Sequence, residues 1–210
     1  SFPRKNFIDE HLVTGWERLR LIPSAMAPDD KFLRRAYIDI IGQVPSVEET
    51  RAFLNDSSPD KRERLVDQLL SRPEYAEHWA NKWADLLQVN RKFLGDVGAR
   101  ALREYIRKAV VDKTPYDKFA YNILTGSGSN AENPASAYYK VLRSPDVAME
   151  NSTHLFLAIR FNCNKCHDHP FDRWTQKEFY QMAAFTFGTQ TNTGGADKRY
   201  WRENPSDRLA

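Results

Sequence analysis

The chain has 210 residues, of which 41% are hydrophobic and 28% are charged, as in ordinary globular domains. Its 31 Lys and Arg and 28 Asp and Glu leave a net charge of +3 that is spread along the chain, which excludes a basic nucleic-acid-binding tail. No run approaches about 18 apolar residues and no signal-peptide pattern opens the chain, so we expect a processed or excised domain without a membrane span.

The first half of the chain shows repeated helix signals and almost no strand-like alternation. Ile8, Leu12, Trp16 and Leu19 share one helical face, and a second helix is predicted from Asp30 to a stop at Gly42. Further helix starts are indicated by a capping box at Ser46 and Glu49 and by first-turn prolines after Ser58, Arg72 and Thr114. The apolar stripe of Trp79, Trp83, Leu86 and Leu87 is interpreted as core.

Residues 126–136 are polar and rich in turn-forming residues, and they are interpreted as a loop and internal boundary. Beyond it, a helix is predicted from Ser144-Pro145 to about Arg160, and a capping box at Thr175 and Glu178 starts another that ends near Phe187. The pattern predicts an all-α fold, a multi-helix orthogonal bundle with long loops. Its predicted parts are an N-terminal helical part at 1–125, the loop, a part at 137–188 packed on the first as one domain, and an irregular tail at 189–210.

The two cysteines of the chain, Cys163 and Cys166, are followed directly by His167. In c-type cytochromes, two cysteines at this spacing form thioethers to the two vinyl groups of one haem, and the next histidine ligates the iron. Two cysteines are too few for a disulfide framework or for a cluster held by four thiolates. The motif therefore predicts one covalently attached haem c, with His167 as its proximal iron ligand.

Two other interpretations of the same residues stay open. Cys163, Cys166, His167 and His169 are suitable ligand types for tetrahedral zinc, although four ligands so close in sequence would strain the backbone. Alternatively, the cysteines form a small disulfide or a redox thiol pair and the site holds no cofactor, although no βαβ pattern surrounds them.

A longer stretch around the motif carries a family resemblance. Residues 155–176 read LFLAIRFNCNKCHDHPFDRWTQ, and the upstream segments FLRRAYIDIIG at 32–42 and LVDQLLS at 65–71 occur in the expected order. Over roughly residues 5–187 the chain resembles the planctomycete cytochrome c domain family, exported bacterial domains of uncharacterised function with a C-x-x-C-H-x-H-P motif. The resemblance implies thioethers at Cys163 and Cys166, a proximal ligand at His167 and a periplasmic or cell-surface location, while His169 and Trp174 match the signature without an assigned role.

The residues around the motif also suggest a sixth iron ligand and a haem pocket. Met149 or His154, on the helix before the motif, and Met182, on the helix after it, are the candidates for the distal ligand. The dense apolar residues of the same two helices are predicted to wall the haem, and they are Leu155, Phe156, Ile159, Phe179, Met182 and Phe185.

The predicted function is one-electron transfer by a c-type cytochrome domain within a larger exported protein, rather than catalysis. The expected partners are a redox protein or neighbouring domains of a larger chain, and neither nucleic acid nor a membrane span is expected. The alternative is a non-catalytic structural or carbohydrate-associated binding module whose Cys and His cluster is a disulfide or zinc-like site. Exposed tryptophans and tyrosines outside the core would favour that alternative.

Overall fold

A computed structural model describes residues 2, 4 and 6–187, and this part of the chain contains ten α-helices, two short 3-10 helices and no β-strand. The predicted all-α fold is confirmed, while the predicted irregular tail at 189–210 lies outside the described residues. No helix in the described ranges is long and apolar enough to cross a membrane. The chain divides into two compact units, Ser1–Ser71 and Arg72–Ala210.

The first unit contains four helices, α1 (Phe7–Leu19), α2 (Asp29–Ile41), α3 (Val47–Asn55) and α4 (Lys61–Ser71). Helix α2 packs against α3 and α4, and it buries Leu33 and Tyr37. The predicted capping box is confirmed, because the Ser46 N–H donates to Glu49 Oε2 at 2.8 Å and the Glu49 N–H donates to Ser46 Oγ at 3.1 Å. These local bonds define the start of α3.

The second unit contains the remaining six α-helices: α5 (Pro73–Leu86), α6 (Arg91–Val111), α7 (Tyr116–Leu124), α8 (Ala137–Leu142), α9 (Pro145–Leu157) and α10 (Gln176–Phe187). The 3-10 helices are Pro134–Ser136 and Asn162–Lys165. Helix α6 is interrupted at Gly95, whose φ of 68° lies in the left-handed region that favours glycine. Helix α5 packs along α6, and α9 packs along α10. The pair α9 and α10 brackets the cysteine motif in the chain.

One apolar core of the second unit includes residues from both sides of the polar segment 126–136. Phe119 and Ile123 precede that segment, Tyr138 and Leu142 follow it, and all four are buried in the same cluster as Ile106. Residues on both sides of the loop thus share one core, and the division between the two compact units falls at Ser71 and Arg72. The packing of 1–125 and 137–188 as one domain stays a prediction.

Two further expectations about helix faces and ends need correction. In and just after α5, Ala80 and Leu87 are fully buried, but Leu86 is 49% exposed and Trp79 and Trp83 are only partly buried. Of the four residues predicted as core, Leu87 is therefore in the core, Trp79 and Trp83 lie at its margin, and Leu86 is at the surface. Helix α9 ends at Leu157 rather than near Arg160, because Ala158 adopts a left-handed conformation with φ 57° that stops the helix.

Candidate functional site

The cysteine motif lies on the short 3-10 helix between α9 and α10. Cys163 is inside this helix, Cys166 caps it and His167 follows directly. The backbone N–H groups of Cys166 and His167 both donate to the Cys163 carbonyl, at 3.3 and 3.4 Å. Both cysteines are free and exposed. One tight turn therefore presents two reduced thiols and an imidazole to solvent.

The two residues between the cysteines fix this turn to the rest of the second unit. Asn164 is fully buried, and its Nδ2 donates to the Trp174 carbonyl at 2.5 Å. Lys165 pairs with Asp146 at 2.6 Å, which links the turn to the start of α9. The Lys165 carbonyl accepts hydrogen bonds from Tyr180 Oη at 3.1 Å and from Gln176 Nε2 at 3.2 Å, both on α10. The turn is thus held from both neighbouring helices.

The ion pair between Lys165 and Asp146 shifts the pKa values of both residues. Burial raises the pKa of Asp146, but hydrogen bonds from Lys165 and Ser144 outweigh burial, and the pKa of this carboxyl lies below its usual value. The hydrogen bond to Asp146 in turn raises the pKa of Lys165. Burial raises the pKa of the nearby Glu150. At neutral pH the Lys165 and Asp146 pair is therefore fully charged.

The two histidines of the motif are oriented differently. His167 Nδ1 lies 2.6 Å from the Asp168 carbonyl oxygen. Because a carbonyl can only accept, Nδ1 carries the proton and Nε2 keeps a free lone pair. His169 Nδ1 instead accepts the Phe171 N–H at 3.2 Å, so its proton lies on Nε2. In this arrangement His167 can ligate a metal through Nε2, whereas His169 presents a donor there.

The described residues contain no group of three or more His, Cys, Asp or Glu side chains arranged to hold a metal ion. The four residues of the zinc interpretation, Cys163, Cys166, His167 and His169, do not form such a group. The backbone N–H of His169 instead donates a hydrogen bond to the Trp174 carbonyl at 2.8 Å. The zinc interpretation therefore gains no support from the arrangement of its side chains.

The predicted distal ligands lie in different environments. Met149 is buried in an apolar cluster with Phe161 and Phe179, and its sulfur lies 3.9 Å from the Thr153 hydroxyl. Met182 packs partly buried against the same cluster. His154 is exposed, and its Nε2 accepts a hydrogen bond from Arg160 Nε at 3.4 Å. Met149 is therefore held in the core, whereas the ring of His154 is bonded to Arg160 at the surface.

The residues predicted to wall a haem are divided between three locations. Phe179 is fully buried in the cluster with Phe161, and Ile159 and Met182 pack against that cluster. Leu155 and Phe156 pack against the other core of the unit. Phe185 is 85% exposed. Phe171, which is not one of the predicted wall residues, is 95% exposed. These side chains therefore do not form one continuous surface, and their contact with a haem stays a prediction.

Sequence reasoning missed the residues that support the motif turn. Phe161 is almost fully buried, and its ring lies 5.2 Å from that of Trp174 and 6.3 Å from that of Phe179, measured between centroids. Trp174 belongs to the family signature that the sequence analysis left without a role. Its carbonyl accepts two hydrogen bonds from the motif, and its ring packs against that of Phe161. The single signal available was the apolar character of residues 161, 174 and 179.

Comparison with known proteins identifies a family but no characterised relative. The PSCyt2 family model, described as a protein of unknown function (DUF1549), matches residues 7–191. No curated protein and no solved structure shows significant similarity to the chain. The match spans both compact units and includes the complete cysteine motif. Because it covers most of the sequence, the chain belongs to the PSCyt2 family of proteins of unknown function.

Proposed function

We propose that this chain is a c-type cytochrome domain in which Cys163 and Cys166 attach one haem and His167 ligates its iron. The observation that carries the proposal is the hydrogen bond from His167 Nδ1 to the Asp168 carbonyl. Axial histidines of metal sites commonly donate one ring N–H to a carbonyl or carboxylate, which fixes the tautomer and leaves the other nitrogen for the metal. His167 has this arrangement.

The donor set also fits covalent attachment. Both thiols are exposed and unpaired, and the residues between them, Asn164 and Lys165, are engaged elsewhere. Cys163 and Cys166 would each add their thiol S–H across a vinyl group of the haem, so that the S–H bond and the vinyl π bond would break, one C–S and one C–H bond would form, and no oxidant or reductant would be needed. The attached haem would supply a one-electron iron couple. The turn would hold both sulfur atoms and the imidazole at fixed positions.

An exported location and a redox partner belong to the same proposal. Thioether attachment is the feature that would require maturation outside the cytoplasm, so the domain would work in the periplasm or at the cell surface. Phe171 is exposed immediately after the motif, and an exposed apolar ring is suited to contact a haem edge or a partner protein. The electron would pass to a redox protein or to a neighbouring domain of a larger chain.

The test is expression in the periplasm of a host that carries c-type maturation machinery. We expect a red protein with a Soret band that stays with the denatured chain and adds about 0.6 kDa to its mass. The double change Cys163→Ser and Cys166→Ser should remove covalent haem. A colourless wild-type chain that is either two hydrogens lighter, as for a disulfide, or loaded with zinc would contradict the proposal.

The neighbouring histidines provide a matched pair of variants. His167→Ala should change the spectrum and lower the yield of haem protein, because the axial nitrogen is removed. His169→Ala should keep the wild-type spectrum, since its Nδ1 serves only as an acceptor for the Phe171 N–H. Equal spectral changes in the two variants would show that the assignment of the axial ligand is wrong.

A further inference from the structure

A cleft of about 230 Å³ lies in the second unit between α5, the end of α6 and the start of α7. Its walls are mainly aromatic, with Tyr75, Trp79 and Trp83 from α5 and Tyr116 from α7. The three α5 residues are spaced four apart and therefore share one helical face. The residues of the cysteine motif do not line this cleft.

Four of the five aromatic side chains that line the cleft remain partly open to solvent, while the fifth, Phe119, belongs to the core. Tyr116 is 53% exposed, and Tyr75, Trp79 and Trp83 are all only partly buried. The Tyr75 and Trp79 rings are tilted by 46° at 6.2 Å, and the Trp83 and Tyr116 rings by 40° at 6.0 Å. Large rings clustered at a concave, open surface are typical of binding sites, since folding alone would bury them.

The charged lining of the cleft favours an anionic ligand. Lys113 lines it, and within the described part of the chain no Asp or Glu side chain does so. Lys113 is thus the one charged residue of the lining within the described part of the chain, and the ammonium group of Lys82, outside the lining, lies 4.7 Å from the centre of the Trp79 ring. A cationic ligand would therefore meet like charge, although aromatic rings alone would attract it.

The backbone at Lys113 is fixed, while its exposed side chain is free to turn towards the cleft. It adopts a left-handed conformation with φ 52° directly after α6. Its N–H donates to the Val110 carbonyl at 3.1 Å, and the Thr114 N–H donates to the Ala109 carbonyl at 2.9 Å, which closes the end of the helix. Thr114 also lines the cleft and adds a neutral polar residue beside Lys113.

We propose that this cleft binds one sugar unit that carries an anionic substituent, either the carboxylate of a uronic acid or a sulfate ester. The apolar face of the sugar ring packs on the indole and phenol rings, and the anionic group pairs with Lys113. A cleft of this volume is smaller than the roughly 300–1,000 Å³ that drug-sized ligands occupy, which suits a single ring of a longer glycan. The proposal is independent of haem attachment.

The test is calorimetric titration of the intact chain with defined probes, namely oligogalacturonate, a sulfated galactan oligosaccharide, neutral maltotriose and choline. We expect saturable binding of at least one acidic oligosaccharide with a Kd below about 1 mM, and binding at least about fivefold tighter than that of maltotriose. Binding of oligogalacturonate alone identifies the carboxylate as the recognised group. Binding of the sulfated probe alone identifies the sulfate ester.

Two variants and two controls connect binding to the cleft. Trp79→Ala and Lys113→Gln should each weaken binding about fivefold or more, and Lys113→Gln should remove the preference for the acidic probes. Tyr121→Ala and Lys118→Gln change an exposed ring and an exposed charge on α7 outside the cleft lining, and they should bind as the wild type does. The proposal is overturned by unsaturable binding of both acidic probes, by equal binding of maltotriose, by tighter binding of choline, or by unchanged affinity in both cleft variants.

Discussion

Replacing Asn164 tests how the motif turn is held in the second unit. Its side chain is fully buried, with Nδ2 bonded to the Trp174 carbonyl, while its buried Oδ1 accepts no hydrogen bond from the described residues. The Trp174 carbonyl also accepts the His169 backbone N–H at 2.8 Å. This carbonyl therefore stays paired when the amide of residue 164 is removed.

The expected free energies differ sharply between two substitutions of similar size. Asn164→Leu loses one hydrogen bond, worth about 0.5–1.5 kcal/mol, and removes an unsatisfied oxygen whose burial costs about 1–3 kcal/mol. These effects nearly cancel, so the free energy of unfolding should change by less than about 1 kcal/mol. Asn164→Asp buries a carboxylate that faces a carbonyl. If burial raises its pKa by roughly 2–3 units, the variant is less stable by about 3–4 kcal/mol at pH 7.

The loss in Asn164→Asp should depend on pH in a defined direction. Burial raises the folded-state pKa of the introduced carboxyl above its unfolded value of about 3.9, so the penalty is absent below that pH and grows as pH rises. Urea unfolding at about pH 4 and pH 7, followed by circular dichroism, measures this difference against the wild type. Asn162→Asp, at an exposed position of the same 3-10 helix, is the control. A pH-independent loss, or wild-type stability at pH 7, would refute the reasoning.

Three further changes probe the second unit. Burial raises the pKa of Asp146, but the hydrogen bonds to its carboxylate lower it by more. Asp146→Asn should therefore lower the free energy of unfolding by up to about 1 kcal/mol at pH 7. Urea titrations should show this difference vanish as pH falls through the folded-state pKa of the carboxyl. Phe179→Ala should lower stability by about 3–5 kcal/mol, whereas Phe185→Ala at an exposed position should stay within about 0.5 kcal/mol in the same assay. In Gly126→Ala the new Cβ would lie 2.9 Å from the Ser136 backbone nitrogen, so guanidinium unfolding should show a loss of about 1–3 kcal/mol, and an unchanged midpoint would mean that this backbone shifts freely.

The starts of α3 and α10 were predictable from the sequence because their causes are local. The box at Thr175 and Glu178 forms as its spacing predicts, with the Thr175 N–H donating to Glu178 Oε2 at 2.8 Å and the Glu178 N–H donating to Thr175 Oγ1 at 3.2 Å. The end of α9 was not predictable, because Ala158 is left-handed without being Gly or Asn. Its conformation accompanies a bond from the Ile159 N–H to the Thr153 carbonyl, which no residue pattern indicates.

The sequence indicates the residues of the candidate site but not the contacts that support the turn carrying them. The spacing of Cys163, Cys166 and His167 suggests their chemistry from the sequence alone. The burial of Asn164 and the contact with Trp174 depend on how α9 and α10 meet, which residue periodicity does not determine. The same limit explains Leu86 and Leu87, since adjacent residues on a helix face different neighbours and only tertiary packing decides which one is buried.

The two-residue spacing between the cysteines has a physical role that depends on the 3-10 geometry of residues 162–165. A 3-10 helix has about three residues per turn, so side chains at i and i+3 are eclipsed. Cys163 and Cys166 therefore emerge on one side, and Asn164 and Lys165 are directed elsewhere, to the Trp174 carbonyl and to Asp146. One additional residue would rotate the second thiol by about 120° and would also displace the buried amide. The spacing thus presents both thiols together only because the residues between them anchor the turn.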